Sequence, residues 1–262
     1  MQSKIVSVNQ DVFAAKKQAA ADQRRQFTEH GTFVVNLVSS PGAGKTSLLQ
    51  ATARYWKNRF QVAVLVGDLA TDRDAERLRP YLPVEQLTTG GACHLELPLV
   101  QAGLKRLPQQ PCDFLFIENI GNLVCPASHD LGEHLRVVVL STTEGDDKPG
   151  KYPKMFRTSQ AMVISKCDLL PYVPFSVAAA VHDARLIQPD LQVIETSAMR
   201  EEGIGSWCDF LERSRHSMLD AHEKTPRESP DVPPSEVPPS EVSPSEVSPS
   251  EVPPMATIGP VS

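Results

Sequence analysis

Gly42, Gly44, Lys45 and Thr46 have the spacing with which a strand-to-helix turn wraps a phosphate chain. Glycines let backbone N–H groups curl inward, and a helix N-terminus adds partial positive charge. The lysine neutralises terminal phosphate oxygens, and the hydroxyl reaches Mg2+. The run from Ser39 to Thr46 fits this pattern except at its first position, where Ser39 replaces the usual glycine. Ser40, Gly42, Ala43, Gly44, Lys45, Thr46 and Ser47 are the candidate phosphate-binding residues, and Lys45 is also a candidate catalytic charge. The plain alternative is a turn that contains Gly-Lys-Thr without a ligand.

Base choice points to a second segment, Ser165-Lys166-Cys167-Asp168, which follows an apolar run. A carboxylate at Asp168 accepts two hydrogen bonds from the N1–H and exocyclic amine of guanine, groups that adenine does not present in that pattern. Lys166 can lay its stem along the ring. Ser197 and Ala198 stand where a backbone N–H would meet the guanine carbonyl, and Ser165 departs from the asparagine usual in such a segment. ATP is the competing nucleotide, as in partitioning ATPases, but the extra lysine early in their loop is missing here.

Acidic residues near the ends of two further apolar runs supply Mg2+ chemistry. Glu118 begins Glu118-Asn119-Ile120-Gly121, where the carboxylate can hold the ion and the Gly121 N–H can sense a γ-phosphate. Asp68 and Asp72 are candidates to complete the Mg2+ shell, and Asp72 also to position water; Asp72 reads equally well as a helix cap. Lys148 reads as a solvated lysine first and as a nucleotide contact second.

Cys93 and His94 are adjacent, and Cys125 lies seven residues after Glu118. Two thiolates and an imidazole suit Ni2+, Zn2+ or copper and do not suit Ca2+. Buried thiols are the competing reading. Three ligands leave a fourth position to water, a second chain or His129, and His129 reads more readily as a surface histidine.

These residues need a scaffold of strands that end in ligand-bearing loops. Apolar runs at 33–38, 62–66, 114–117, 135–140, 161–164 and 192–194 read as buried strands. Helical patterns lie at 47–55, 74–82, 95–107, 175–186 and 204–217. That alternation predicts an α/β fold, a three-layer P-loop NTPase with a mostly parallel sheet and ligands at the carboxyl ends of its strands. Residues 9–29 read as an N-terminal helix, capped by Asn9, striped by Val12, Phe13, Ala20 and Phe27, and ended by Gly31.

The expected organisation is an N-terminal helix over 1–31, a nucleotide-binding domain over 32–224 and a tail over 225–262. The tail holds eleven of the 23 prolines and a Pro-Ser-Glu-Val-X repeat starting at residues 234, 239, 244 and 249. Such a stretch cannot bury enough apolar surface to order itself, so disorder is expected. It carries a net −5 of the chain's −6, which leaves residues 1–224 at −1 and gives no electrostatic footprint for nucleic acid. No run of about 18 apolar residues suggests a membrane span. Five cysteines, an odd number, argue against a disulfide framework, and a cytoplasmic location is the expectation.

Taken together, segments 36–46, 71–77, 91–95 and 116–126 resemble the nickel-incorporating GTPases of hydrogenase maturation, the HypB family of SIMIBI-class P-loop GTPases. The likeness covers roughly residues 33–210. It implies slow GTP hydrolysis, a homodimer promoted by GTP, and a Ni2+ or Zn2+ site at Cys93, His94 and Cys125 near the dimer interface. It also implies nickel delivery to the hydrogenase large subunit with a zinc-containing partner of the HypA type. Accessory proteins for urease or B12-dependent mutases, and a metal carrier with little turnover, are the alternatives. Some members carry extra cysteines or histidines near the N-terminus, and residues 1–29 contain neither.

Overall fold

The computed structural model describes residues 2–68, 73–107 and 112–224, with side chains from residue 11 onward. Asp72 and the tail over 225–262 lie outside the described residues, so the expectations for both rest on sequence.

Seven parallel strands form one sheet in the order β3-β2-β4-β1-β5-β6-β7. They are β1 (Phe33–Ser39), β2 (Val62–Asp68), β3 (Val84–Thr88), β4 (Phe114–Gly121), β5 (Leu135–Ser141), β6 (Ala161–Ser165) and β7 (Gln192–Glu195). The central strands β1 and β5 are buried at every position, as expected where helices cover both faces. Of the strands among the described residues, only β3 escaped the sequence reading, and the short helical turns at 148–151 and 153–157 escaped it too. β3 is an edge strand in which Leu87 alone is fully buried, so its apolar signal is weak.

On one face, α2 (Lys45–Trp56) and α8 (Ile204–Lys224) pack Leu48, Leu49, Trp56, Trp207 and Leu211 against Val35, Leu37, Phe114 and Phe116. Trp207 Nε1 donates to Thr52 Oγ1 at 3.0 Å, and Trp56 Nε1 donates to Glu212 Oε1 at 2.8 Å. These indoles therefore reach polar partners as well as filling the core. The other face carries α1 (Gln2–Glu29) and α4 (Leu97–Leu104) over Val34, Leu65 and Ile117, and α6 (Pro153–Arg157) and α7 (Val177–Ile187) over Val138, Leu140 and Met162. The expected three-layer arrangement is what the chain adopts.

Helix boundaries differ from expectation for local reasons. α1 starts at Gln2 instead of at Asn9, because nothing between breaks a helix. Its expected stripe is half right: Ala20 and Phe27 are buried, whereas Val12 and Phe13 are 51% and 69% exposed. Gly31, at φ +69, ends it as expected. The helix expected over 74–82 is the short α3 (Arg73–Leu78), with Pro80 just beyond its end, and Pro98 marks the first turn of α4.

Candidate functional site

β1 feeds directly into α2, and the turn between them takes φ +72 at Gly42 and +97 at Gly44, conformations that favour glycine. Gly44 is the N-cap of α2, so the first N–H groups of that helix face into the turn. Lys45 is buried, and its ammonium donates to Ser39 Oγ at 2.8 Å. Burial lowers the Lys45 pKa, while the neighbouring Glu118 carboxylate acts in the opposite sense. Ser39, read from sequence as a blemish in the motif, thus holds the lysine side chain in place.

Thr46 Oγ1 donates to Glu118 Oε1 at 2.8 Å across the turn. The other carboxylate oxygen, Oε2, is buried with no hydrogen-bond partner among the described residues. Desolvation pushes the Glu118 pKa up to about 7. A buried carboxylate with one unpartnered oxygen beside a hydroxyl is a donor set that fits Mg2+, and the neighbouring ammonium fits the phosphate that such an ion accompanies. Asp68 closes β2 and adds to the field at Lys45.

Two of the candidate base-reading residues, Ser165 and Lys166, bond to the same turn. Ser165 Oγ donates to Ala43 O at 2.6 Å, and Lys166 Nζ donates to Gly42 O at 2.8 Å. Lys166 sits at φ +60, and Thr142 Oγ1 donates to its carbonyl. Ser197 Oγ donates to Asp168 Oδ1 at 2.6 Å, which orients the carboxylate, and Ala198 follows on the same loop. Ser40 and Ser47 flank the turn half-buried. Lys148 departs from its reading as a solvated lysine: it is 22% exposed, 3.5 Å from Glu144 and 5.4 Å from the Tyr152 ring centroid. It lies on the short helix α5 (Lys148–Lys151), whose first turn brings Glu144 within reach.

At the exit of β4 the two thiols meet, with Cys93 Sγ 2.9 Å from Cys125 Sγ and 3.8 Å from His94 Nδ1. Both cysteines are free thiols. The Cys93 pKa is raised, first by its hydrogen bond with Cys125. The buried-thiol alternative fails here, because Cys93 is exposed and Cys125 half-buried. By contrast Cys208 is fully buried, with its pKa pushed up to about 12 by desolvation.

His129 is not the plain surface histidine expected. Its ring stacks on His94 with centroids 3.9 Å apart, and its Nδ1 is 2.9 Å from Cys125 O. Sequence reasoning missed Asn122, whose Nδ2 donates to Cys93 O at 3.3 Å while its Oδ1 accepts from Val124 N at 2.7 Å. That one side chain ties the two cysteine loops together. A polar residue three before a candidate ligand was its only sequence signal.

The model of the CobW/HypB/UreG nucleotide-binding domain matches residues 33–195. The hydrogenase maturation factor HypB of Azotobacter vinelandii is 46% identical over 228 residues, 87% of this chain and 75% of that protein. The chain belongs to the HypB family. HypB of Escherichia coli (strain K12) is 44% identical over 215 residues, 82% of this chain and 74% of that protein. A crystal structure of HypB from Helicobacter pylori in complex with nickel is similar at 36% identity and a TM-score of 0.74. The match covers 78% of this chain and 96% of that one. Among the described residues of this HypB-family chain, no helix is long and apolar enough to cross a membrane.

Proposed function

We propose that this HypB-family chain is a GTP-hydrolysing nickel metallochaperone that assists nickel insertion into nickel-iron hydrogenase in the cytoplasm. The observation that carries the proposal is that one strand serves both chemistries: β4 presents Glu118 to Thr46 and leads within a few residues to Cys125, 2.9 Å from Cys93. The nickel complex of the Helicobacter pylori relative supports nickel over zinc as the cargo.

In this reading the Gly42–Ser47 turn cradles the phosphates, Lys45 offsets charge on the transferred group, and Thr46 with Glu118 holds Mg2+, assisted by Asp68 and Asp72. Bound Mg2+ neutralises phosphate charge. Asp168, oriented by Ser197, selects guanine, while Ser165 and Lys166 brace the turn beneath it. Cys93, His94 and Cys125 take nickel as cargo. Asn122 positions both cysteine loops, so movement of the β4 exit on hydrolysis alters the metal site. A GTP-promoted homodimer, a zinc-containing HypA-type partner and the hydrogenase large subunit complete the proposal.

The test uses the reduced, full-length chain with Mg2+ and Ni2+. Turnover of GTP but not ATP, together with a thiolate-to-nickel absorption band that Cys93→Ala/Cys125→Ala abolishes, is the expected result. Nickel binding without GTP turnover in the dimeric state would leave a carrier instead. A thiolate-to-nickel band that persists undiminished in the double variant would overturn the thiolate site.

A further inference from the structure

We propose that His94, Glu96 and His129 form a second subsite for a divalent transition metal, lined by nitrogen and oxygen and sharing His94 with the thiolate pair. The inference rests on the metal reading above and extends it to residues outside that site.

The three donor atoms lie within 4.8 Å of one another. His94 Nε2 is 3.6 Å and His129 Nε2 is 3.8 Å from the same oxygen, Glu96 Oε1. Ligands at about 2.0–2.1 Å from a tetrahedral ion stand about 3.3 Å apart, so the donor spacing is near that of a site. Closing it requires the stacked rings of His94 and His129 to splay until both lone pairs converge on the ion. Two imidazoles and a carboxylate are the donor set of many catalytic zinc and non-haem iron centres, and harder than two thiolates.

The tautomer that a neutral His129 takes follows from its partner. Its Nδ1 faces the Cys125 carbonyl, which can only accept, so Nδ1 carries the proton and Nε2 offers its lone pair toward Glu96. His94 presents its two ring edges to different donors, Nδ1 to Cys93 Sγ at 3.8 Å and Nε2 to Glu96. A neutral imidazole has one lone pair, so His94 completes one site at a time.

Both ligand-bearing loops are also held from below by one buried polar network. Asn119 Oδ1 accepts from Leu95 N, between His94 and Glu96, and Asn119 Nδ2 donates to Asn36. Asn36 donates to Glu133, Glu133 pairs with Arg136, and Arg136 Nη2 donates to His129 O at 2.5 Å. Asn36, Asn119, Glu133 and Arg136 are all buried, which braces the backbone at Leu95 and at His129, the segments that carry the three donors of the second subsite. Lys16 Nζ, 3.3 Å from Glu96 Oε1, is the resident cation that a metal ion must displace. That pair is exposed and therefore weak.

Co2+ titration of the reduced, metal-free, untagged full chain separates the two sites. Wild type should show an intense thiolate-to-cobalt band, and Cys93→Ala/Cys125→Ala should lose it. The double variant should still bind one Co2+, with weak ligand-field bands and X-ray absorption fitted by nitrogen and oxygen alone. Adding Glu96→Gln or His129→Ala to the double variant should weaken that ion at least tenfold. Each change made alone in wild type should leave the thiolate band, which also reports that the fold survives. A double variant that binds no Co2+, or whose affinity neither added change alters, overturns the second subsite. Absence of the thiolate band in wild type would overturn the first site without touching the second.

Discussion

At the scale of single residues, the charged groups around the phosphate turn act through what they are denied as much as through what they contact. Glu118 lies buried with one oxygen unpartnered, so Glu118→Gln keeps the shape and removes the negative charge that it would offer to Mg2+. GTP turnover should then fall about a hundredfold or more while circular dichroism is unchanged; a variant that keeps wild-type turnover would remove Glu118 from the Mg2+ shell. Asp168 gives a sharper test, because a carboxylate only accepts whereas an amide both donates and accepts. Asp168→Asn should lose about ten- to hundredfold in GTP affinity and gain affinity for the xanthine nucleotide, whose C2 carbonyl accepts from the new amide. Calorimetric titration with both nucleotides decides, and unchanged GTP affinity would leave Asp168 with no role in base choice.

At the scale of elements, His134 joins α1 to the sheet. Val34 N–H donates to its Nδ1 at 3.0 Å, so Nε2 carries the proton and faces Thr28 Oγ1 at 2.9 Å, and Thr28 in turn donates to Arg24 O within α1. Every donor in that chain is used by the neutral ring, and a second proton would oppose the Val34 N–H. Desolvation, helped by Arg24, accordingly lowers the His134 pKa to about 4. The unfolded chain takes up this proton near pH 6.5 and the folded one only near 4. His134 therefore contributes stability above pH 6.5 that is lost as pH falls toward 4. At pH 5 the loss amounts to up to about 2 kcal/mol. Urea unfolding at pH 7 and pH 5 should show a smaller difference for His134→Gln than for wild type, and equal slopes would refute the clamp.

The same element scale marks where sequence stopped being legible. Strands buried on both faces, such as β1 and β5, announce themselves as continuous apolar runs, and the glycines of the phosphate turn announce their backbone. The edge strand β3 hides because partial burial imposes little pattern on it. His134, Asn122 and His129 hide because their partners are distant in sequence or are backbone atoms, and neither leaves a spacing to read. Cys93 and Cys125, 32 residues apart, were legible as ligands through family resemblance and not through spacing. Their contact arises because β4 ends beside the loop that follows β3.

At the scale of the whole molecule, the strand order sets the candidate nucleotide and metal sites next to each other. β4 runs between β1 and β2, so its exit abuts the phosphate turn on one side, and the Cys93 loop reaches it from β3 across the end of β2, bonded at Asn119 and Asn122. Gly121 is the point of closest approach: a Cβ there would stand 2.8 Å from the Cα and N of Pro41, inside the turn. One residue on, Asn122 grips both cysteine loops. The buried network holds these loops at Leu95 and His129, so a shift of the β4 exit between GTP and GDP states would act through Asn122 on the spacing of Cys93 and Cys125. A ligand pair is sensitive to such a displacement because metal bonds tolerate only about 0.2 Å. Nickel should bind the wild-type chain with different affinity in the presence of GDP and of a non-hydrolysable GTP analogue. A coupling of about 1–3 kcal/mol corresponds to about a 5- to 150-fold change. Gly121→Ala forces backbone apart at the joint, so it should shrink that ratio toward one while leaving the thiolate-to-nickel band in place. Equal nickel affinities in the two nucleotide states of wild type would show that the proximity of the sites carries no free energy between them, and reciprocity then requires that nickel leave nucleotide affinity unchanged as well.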